Sequence, residues 1–149
     1  MATRGEVIEA ARTWLDTPFR HQGREKGRWV DCIGLVVGVA KEMKLIAPEW
    51  DFAGYGPLPV PSAMEKGLDE HMDRVPHGAE LPGDVPWMAD PDLGGQPRHV
   101  GILTDCGTLI HAHSNVARGA GRAGKVVEQR LDDRIKTRIR RYYKFRGLE

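Results

Sequence analysis

Apolar residues recur at helical spacing through the first half of the chain and at closer, alternating spacing through the second. Val7, Ala10, Ala11, Trp14 and Leu15 share one helical face and predict a helix over residues 6–15, closed by Pro18. Ile33, Val36, Val37, Ala40 and Met43 form a second stripe, which predicts a helix over residues 32–45. Asp31 stands at its N-cap position, and Lys41 and Lys44 lie in its last turns, where cations complement the helix dipole. Gly34 and Gly38 are unfavourable inside a helix, so their presence predicts close approach by another element. Residues 48–61 read as a long loop. A third helix is expected over residues 63–75, where Ser62 and Glu65 have capping-box spacing.

Beyond Pro76 the period changes. Strands are expected over residues 84–88, 99–104, 108–113, 126–130 and 138–145. Pro86 favours an edge position or a bulge for the first of them. Asp105-Cys106-Gly107 reads as a hairpin turn, and residues 90–97 and 114–124 read as loops. Helices followed by a run of antiparallel strands give an α+β class.

Composition narrows the function. A chain of 149 residues that is 40% hydrophobic and 29% charged fits one domain over residues 1–149 and argues against disorder. The net charge of +1 argues against whole-protein attraction to nucleic acid or anionic membrane. No apolar run approaches a membrane span, so no membrane insertion is expected. The first residues carry no apolar secretory core. The chain is therefore expected to be made in the cytoplasm without a signal peptide, and to need another vehicle if it acts outside the cell.

The two cysteines do not make a disulfide framework. Cys32 opens the second helix, where free N–H groups favour thiolate and are expected to lower the thiol pKa. The competing reading is an ordinary buried cysteine beside apolar residues. His99 and His111 fall on consecutive predicted strands, and a hairpin would bring both to one end of a sheet. Thiol, base and orienting group would then stand in order, as in nucleophilic catalysis generally. Each histidine taken alone reads equally as a strand residue satisfied by backbone or water.

At these residues the sequence resembles a known family. Asp31-Cys32-Ile33-Gly34-Leu35-Val36 is similar to the D-C-S-G-L-V nucleophile motif of the NlpC-type papain-like cell-wall cysteine peptidases. Thr17-Pro18-Phe19-Arg20 resembles that family's G-T-P-Y segment, and Leu81-Pro82-Gly83-Asp84-Val85 its P-G-D-L strand entry. Arg98-His99-Val100-Gly101-Ile102 resembles the H-V-G-I strand that carries the base, and Ile110-His111-Ala112 the segment that carries the third polar residue. The resemblance implies a papain-like domain with N-terminal helices packed on a central antiparallel sheet. It implies Cys32 as nucleophile, His99 as base and His111 as orienting residue, with Phe19, His21, Asp31 and His113 around the substrate and oxyanion region. No cofactor is implied. The implied substrate is the peptide stem of peptidoglycan, at the bond between D-γ-glutamyl and a diamino acid. Thr17-Pro18-Phe19-Arg20-His21-Gln22-Gly23 together with the Cys32 motif looks most like short peptidases of phages and gene transfer particles. That likeness implies tail-tip or baseplate partners and incorporation in a virion-like tail.

The sequence departs from the family pattern at Ile33 (for Ser), Phe19 (for Tyr) and Asp16 (for Gly). Losing the Tyr hydroxyl supports an alternative, a catalytically weak tail-tip subunit on the same fold. His111 and His113 share a strand face, and the family pattern favours His111. Zinc is a minor alternative: Cys32, Cys106, His99, His111 and His113 are suitable ligand types, but their spacings match no common zinc motif. The seven Lys and Arg residues between 134 and 146 read as the solvated face of an edge strand, with Ile139, Tyr143 and Phe145 turned inward, or as a docking surface for an acidic partner or anionic wall polymer.

Overall fold

Thr3 opens the first helix, α1 (Arg4–Arg12), by accepting the Glu6 N–H at 3.1 Å. In this computed structural model, which describes residues 1–90, 95–114 and 124–149, the helix begins and ends earlier than its periodicity suggests. Trp14 leaves the helix and its indole packs onto the second one, where a Cβ added at Gly38 would lie 2.3 Å from Trp14 Cζ2. The chain then reverses at Asp16, whose φ of 69° explains why glycine suits this position in the family pattern.

Helix α2 (Cys32–Glu42) starts where Asp31 accepts the Gly34 N–H at 2.8 Å, so the expected cap is present. Its two glycines serve the expected close approaches. A Cβ at Gly34 would stand 2.2 Å from the Gly23 carbonyl oxygen, and Gly38 makes room for Trp14. The helix stops before the expected end, and Lys44 turns the chain with φ 58°.

Helix α3 (Pro61–His71) starts at a proline, preceded by Val60, and no side chain caps it, so the expected Ser62–Glu65 capping box does not form. The residues expected to be its last turn are instead strand β3 (Met72–Val75). Pairing with the C-terminal strand, Met72 opposite Phe145, outweighs their helical spacing.

Between α1 and α2 lies a small hairpin, β1 (Arg24–Glu25) and β2 (Trp29–Val30), where only a turn is expected. The remaining strands are β4 (Val85–Ala89), β5 (Pro97–Val100), β6 (Ile102–Leu103), β7 (Thr108–Ala112), β8 (Val126–Arg130) and β9 (Ile139–Phe145), with the short helix α4 (Asp133–Lys136) before β9. They form two antiparallel sheets, ordered β3-β9-β4-β5 and β6-β7-β8.

Three expectations change here. The predicted strand over residues 99–104 is broken at Gly101, so β5 belongs to one sheet and β6 to the other. A Cβ at Gly101 would lie 2.9 Å from the Ile110 carbonyl oxygen and 3.1 Å from His111 Cβ, which is why only glycine fits the break. Strand β9 is interior, not an edge, because β3 covers its outer side. Its inward residues are buried as expected, with Tyr142 added, while Arg141 and Arg146 pair with Glu65 and Asp73 at 2.8 and 3.0 Å. Strand β4 is also interior. Pro86 is tolerated because β5 begins its pairing only at Trp87, and the register shifts between Trp87 and Met88.

Both sheets and α2 share one apolar core. Val7, Trp14, Leu35, Val39, Val85, Ile102, Ile110 and Tyr143 are all 3% exposed or less. Among the described residues no helix is long and apolar enough to cross a membrane. This is an α+β fold whose N-terminal helices pack on antiparallel sheet, as expected.

Replacing Gly38 with Ala forces a methyl into the Trp14 ring, and overpacking of this kind costs about 1–3 kcal/mol. Urea denaturation of Gly38→Ala should show a lower midpoint with an unchanged slope. An unchanged midpoint would show that Trp14 yields freely.

Candidate active site

The site is assembled around a buried carboxylate. Asp31, 3% exposed, caps α2 through Oδ1, which also accepts the Arg24 guanidinium at 2.9 Å. Its Oδ2 accepts the Gln22 N–H at 2.8 Å and the Tyr55 hydroxyl. Arg24 also donates to the Tyr55 oxygen at 2.8 Å and to Asp51 at 3.0 Å. The carboxylate therefore ties the turn before β1, the long loop and α2 together. Burial, followed by the Asp31 charge, pushes the Tyr55 hydroxyl above its ordinary pKa, so it remains a donor.

Cys32 follows directly. It is buried, and its Sγ lies 3.9 Å from the Arg98 carbonyl oxygen, with the Val100 N–H also directed at the sulfur. The thiol thus sits against the backbone of β5 on both sides of His99. The expected dipole-lowered thiol is not found. Burial first, and the neighbouring Asp31 charge second, push its pKa up to about 12, against the smaller lowering effect of the Val100 and Ile33 N–H groups. Desolvation outweighs the helix N-terminus here because the sulfur faces protein, not water.

His99 and His111 meet, though not as neighbours on one hairpin. A continuous hairpin with Ile102 opposite Ile110 would place His99 across from His113. The break at Gly101 swings β5 into the other sheet and leaves His99 Nε2 2.8 Å from His111 Nδ1, the rings edge to face. His113 stands beside His111 with ring centroids 5.8 Å apart, so the two do share a face. Burial pushes His99 well below its ordinary pKa, and the adjacent histidines add to this. Burial lowers His111 to about 4, despite an opposing hydrogen bond from its Nε2 to Gln129 Oε1 at 2.8 Å. At neutral pH the thiol and both rings are uncharged.

A polar cavity of about 340 Å³ is bordered by His99, His111, His113, Gln129, Asp90 and Arg134. Phe19 is half-buried, joined to Val30 by a single bridge, with its N–H on the Gly124 carbonyl at 2.7 Å. His21 is exposed, and its ring rests edge-on against Tyr55 with centroids 5.4 Å apart. Cys106 is exposed and Cys32 is buried, and both are free thiols. Among the described residues no three His, Cys, Asp or Glu side chains are arranged to hold a metal ion. The expected loops at 90–97 and 114–124 fall partly outside the described residues.

No family model matches the sequence, and no curated protein does. Solved structures do match. An NlpC/P60 family protein from Bacillus cereus ATCC 10987 aligns with a TM-score of 0.62 and 16% identity over 97% of this chain and 40% of its own. A lipoprotein-like NLP/P60 protein from Staphylococcus aureus subsp. aureus Mu50 gives 0.58 and 12% over 95% of this chain and 41% of its own. The NlpC/p60 domain of the peptidoglycan hydrolase SagA gives 0.53 and 20%, over 85% of this chain and 90% of that domain. The fold is that of the NlpC/P60 papain-like domains. This chain spans about two fifths of the length of the two longer NlpC/P60 proteins.

Sequence reasoning missed three residues of this site: Arg24, Tyr55 and Gln129. Arg24 and Tyr55 lie in segments with no periodic signal. Gln129 sits one diagonal step from His111, whose direct partner on β8 is Val127. No local sequence signal specifies that register.

The histidine shifts make stability depend on pH. His111 has a folded pKa of about 4 against roughly 6.5 unfolded, so the unfolded chain binds more protons between these values. Stability is full above about pH 6.5 and falls as pH drops towards 4, with His111 accounting for about 3 kcal/mol across the window. Thermal melts of wild type and His111→Asn should diverge in slope over this range. Parallel curves would show that His111 is not buried neutral.

Proposed function

We propose that this chain is a cysteine peptidase of the NlpC/P60 type that hydrolyses peptide stems of peptidoglycan. The observation that carries the reading is the placement of Cys32 Sγ against β5 on either side of His99, with His99 Nε2 held by His111 at 2.8 Å. Relatives on this fold include a peptidoglycan hydrolase domain, which supports the substrate class. The implied bond is that between D-γ-glutamyl and a diamino acid.

In this reading His99 Nδ1, the ring nitrogen not taken by His111, accepts the Cys32 proton as sulfur attacks the scissile carbonyl carbon. The backbone N–H of Cys32, in the first turn of α2 where no intrahelical acceptor exists, stabilises the oxyanion. Collapse of the tetrahedral intermediate breaks the C–N bond, and protonated His99 gives its proton to the leaving amine. A water, deprotonated by His99, then attacks the thioester carbonyl. The C–S bond breaks and Cys32 is restored. Burial holds the resting thiol protonated and the resting imidazole neutral, so His99 is in the state that can accept the thiol proton. Phe19, His21 and His113 are proposed to border the substrate, and Asp31 holds the start of α2 in place.

A second reading is favoured by Phe19, which brings no hydroxyl to the oxyanion region, and by the thiol raised to about 12. It makes the chain a catalytically weak structural subunit on this fold. Incubation of wild type and Cys32→Ala with muropeptides of several wall chemotypes, with products read by mass spectrometry, decides between them. The peptidase reading expects Cys32-dependent peptide cleavage and a rate loss of roughly 10²- to 10⁴-fold in His99→Ala. The subunit reading expects identical product profiles.

The likeness of the Thr17–Gly23 and Cys32 segments to tail-associated peptidases supports a place in the tail tip of a phage-like particle, delivered to the wall with it. Mass spectrometry of purified particles from a producing strain should find the chain at a few copies per tail. Its absence from intact particles would remove this placement.

A further inference from the structure

The hydrogen-bonded chain does not end at the second histidine. His111 Nε2 lies 2.8 Å from Gln129 Oε1, and His111 Nδ1 lies 2.8 Å from His99 Nε2. An amide oxygen only accepts, so the His111 proton sits on Nε2 and its Nδ1 is bare. A bare Nδ1 only accepts, so His99 carries its proton on Nε2, and its Nδ1 is bare in turn. We infer that Gln129 is a positioning residue that sets the tautomers of both histidines, leaving His99 Nδ1 unprotonated to receive the Cys32 proton.

The inference rests on the reading of Cys32 and His99 as nucleophile and base. It goes beyond the three-residue arrangement by assigning the proton direction to a fourth side chain on a different strand. Direction is at stake because a neutral imidazole has two tautomers, and a hydrogen bond at one nitrogen decides which is populated. With the amide reversed, its NH₂ would donate to His111 Nε2. His111 would then donate from Nδ1 to His99 Nε2, and His99 would present Nδ1–H to the thiol. That arrangement cannot accept a proton from sulfur. Water in place of Gln129 would fix neither direction, since water both donates and accepts.

The surroundings fit this role. His99 and His111 are each 6% exposed, so little solvent competes for their nitrogens. Gln129 is exposed on β8, which is the outer strand of its sheet, and its oxygen faces the His111 ring. The groups bordering the same cavity are His113, Asp90, Asp132, Arg134 and Arg138. The His111 ring bonds His99 through Nδ1 and Gln129 through Nε2.

The test uses the resting protein, so its outcome is independent of turnover. Long-range ¹H–¹⁵N correlation spectra of wild type, Gln129→Leu and Gln129→Glu report which nitrogen of each ring bears the proton. Wild type should show Nε2–H on both His99 and His111. Gln129→Leu should show mixed tautomers, and Gln129→Glu, which keeps an acceptor, should restore the wild-type pattern. Because Gln129 is exposed, all three should give the same circular dichroism spectrum. On muropeptide substrate, Gln129→Leu should lower kcat roughly tenfold, the share expected of one neutral hydrogen bond, with KM nearly unchanged. Nδ1–H on His111 in wild type, or unchanged tautomers in Gln129→Leu, would overturn the inference. The expected tautomers without any Cys32-dependent cleavage would uphold the assignment of Gln129 and count against the peptidase reading alone.

Discussion

A carboxylate withdrawn from water must be fully satisfied by donors, and Asp31 obtains its donors from four separate parts of the chain. It takes the Gly34 N–H from α2, the Gln22 N–H from the turn before β1, the Arg24 guanidinium from β1 and the Tyr55 hydroxyl from the long loop. Satisfying one buried charge thereby fixes where α2 begins, and so where Cys32 stands. It also holds the loop over residues 48–60 against the body of the domain, although that loop has no helix or strand of its own. Removing any one donor leaves part of a buried carboxylate unsatisfied, which costs more than losing the same contact at the surface.

The same burial sets the chemistry. A thiol at a helix N-terminus is commonly activated as a thiolate, yet here desolvation and the adjacent Asp31 charge keep it protonated. Desolvation likewise keeps His99 and His111 neutral. A neutral thiol beside a neutral imidazole depends on which ring nitrogen is bare, because no ion pair has formed in advance. In the proposed peptidase reading, orientation and tautomer thus carry the task that pre-formed charge carries in thiol enzymes with an ion pair at rest.

The two histidines are brought together by a defect in a strand. If β5 and β6 were continuous, the pairing would carry His99 to His113 and place His111 elsewhere. Gly101 permits the bend because the Ile110 carbonyl oxygen and the His111 Cβ occupy the space a side chain would need. The hydrogen-bonded ring pair therefore spans two sheets, and its geometry is held by the core beneath them, where Ile102 and Ile110 are fully buried.

Much of this was legible in the amino-acid sequence. Local signals determined the three helices, the cap at Asp31, the close approaches at Gly34 and Gly38 and the α+β order, whereas Cys32, His99 and His111 were singled out by their resemblance to family motifs. The local signals depend on periodicity and on chemistry confined to neighbouring residues. Where long-range pairing competed with local preference, the sequence misled. Met72–Val75 follow helical spacing but pair with β9, and β9 looks like an edge strand until β3 covers it. Arg24, Tyr55 and Gln129 could not be read at all, since each owes its role to a partner many residues away. The state of the thiol followed the same rule. Its position at a helix start is a local property, but its burial and its charged neighbourhood exist only once the chain has folded, and those decide whether it rests as thiol or thiolate.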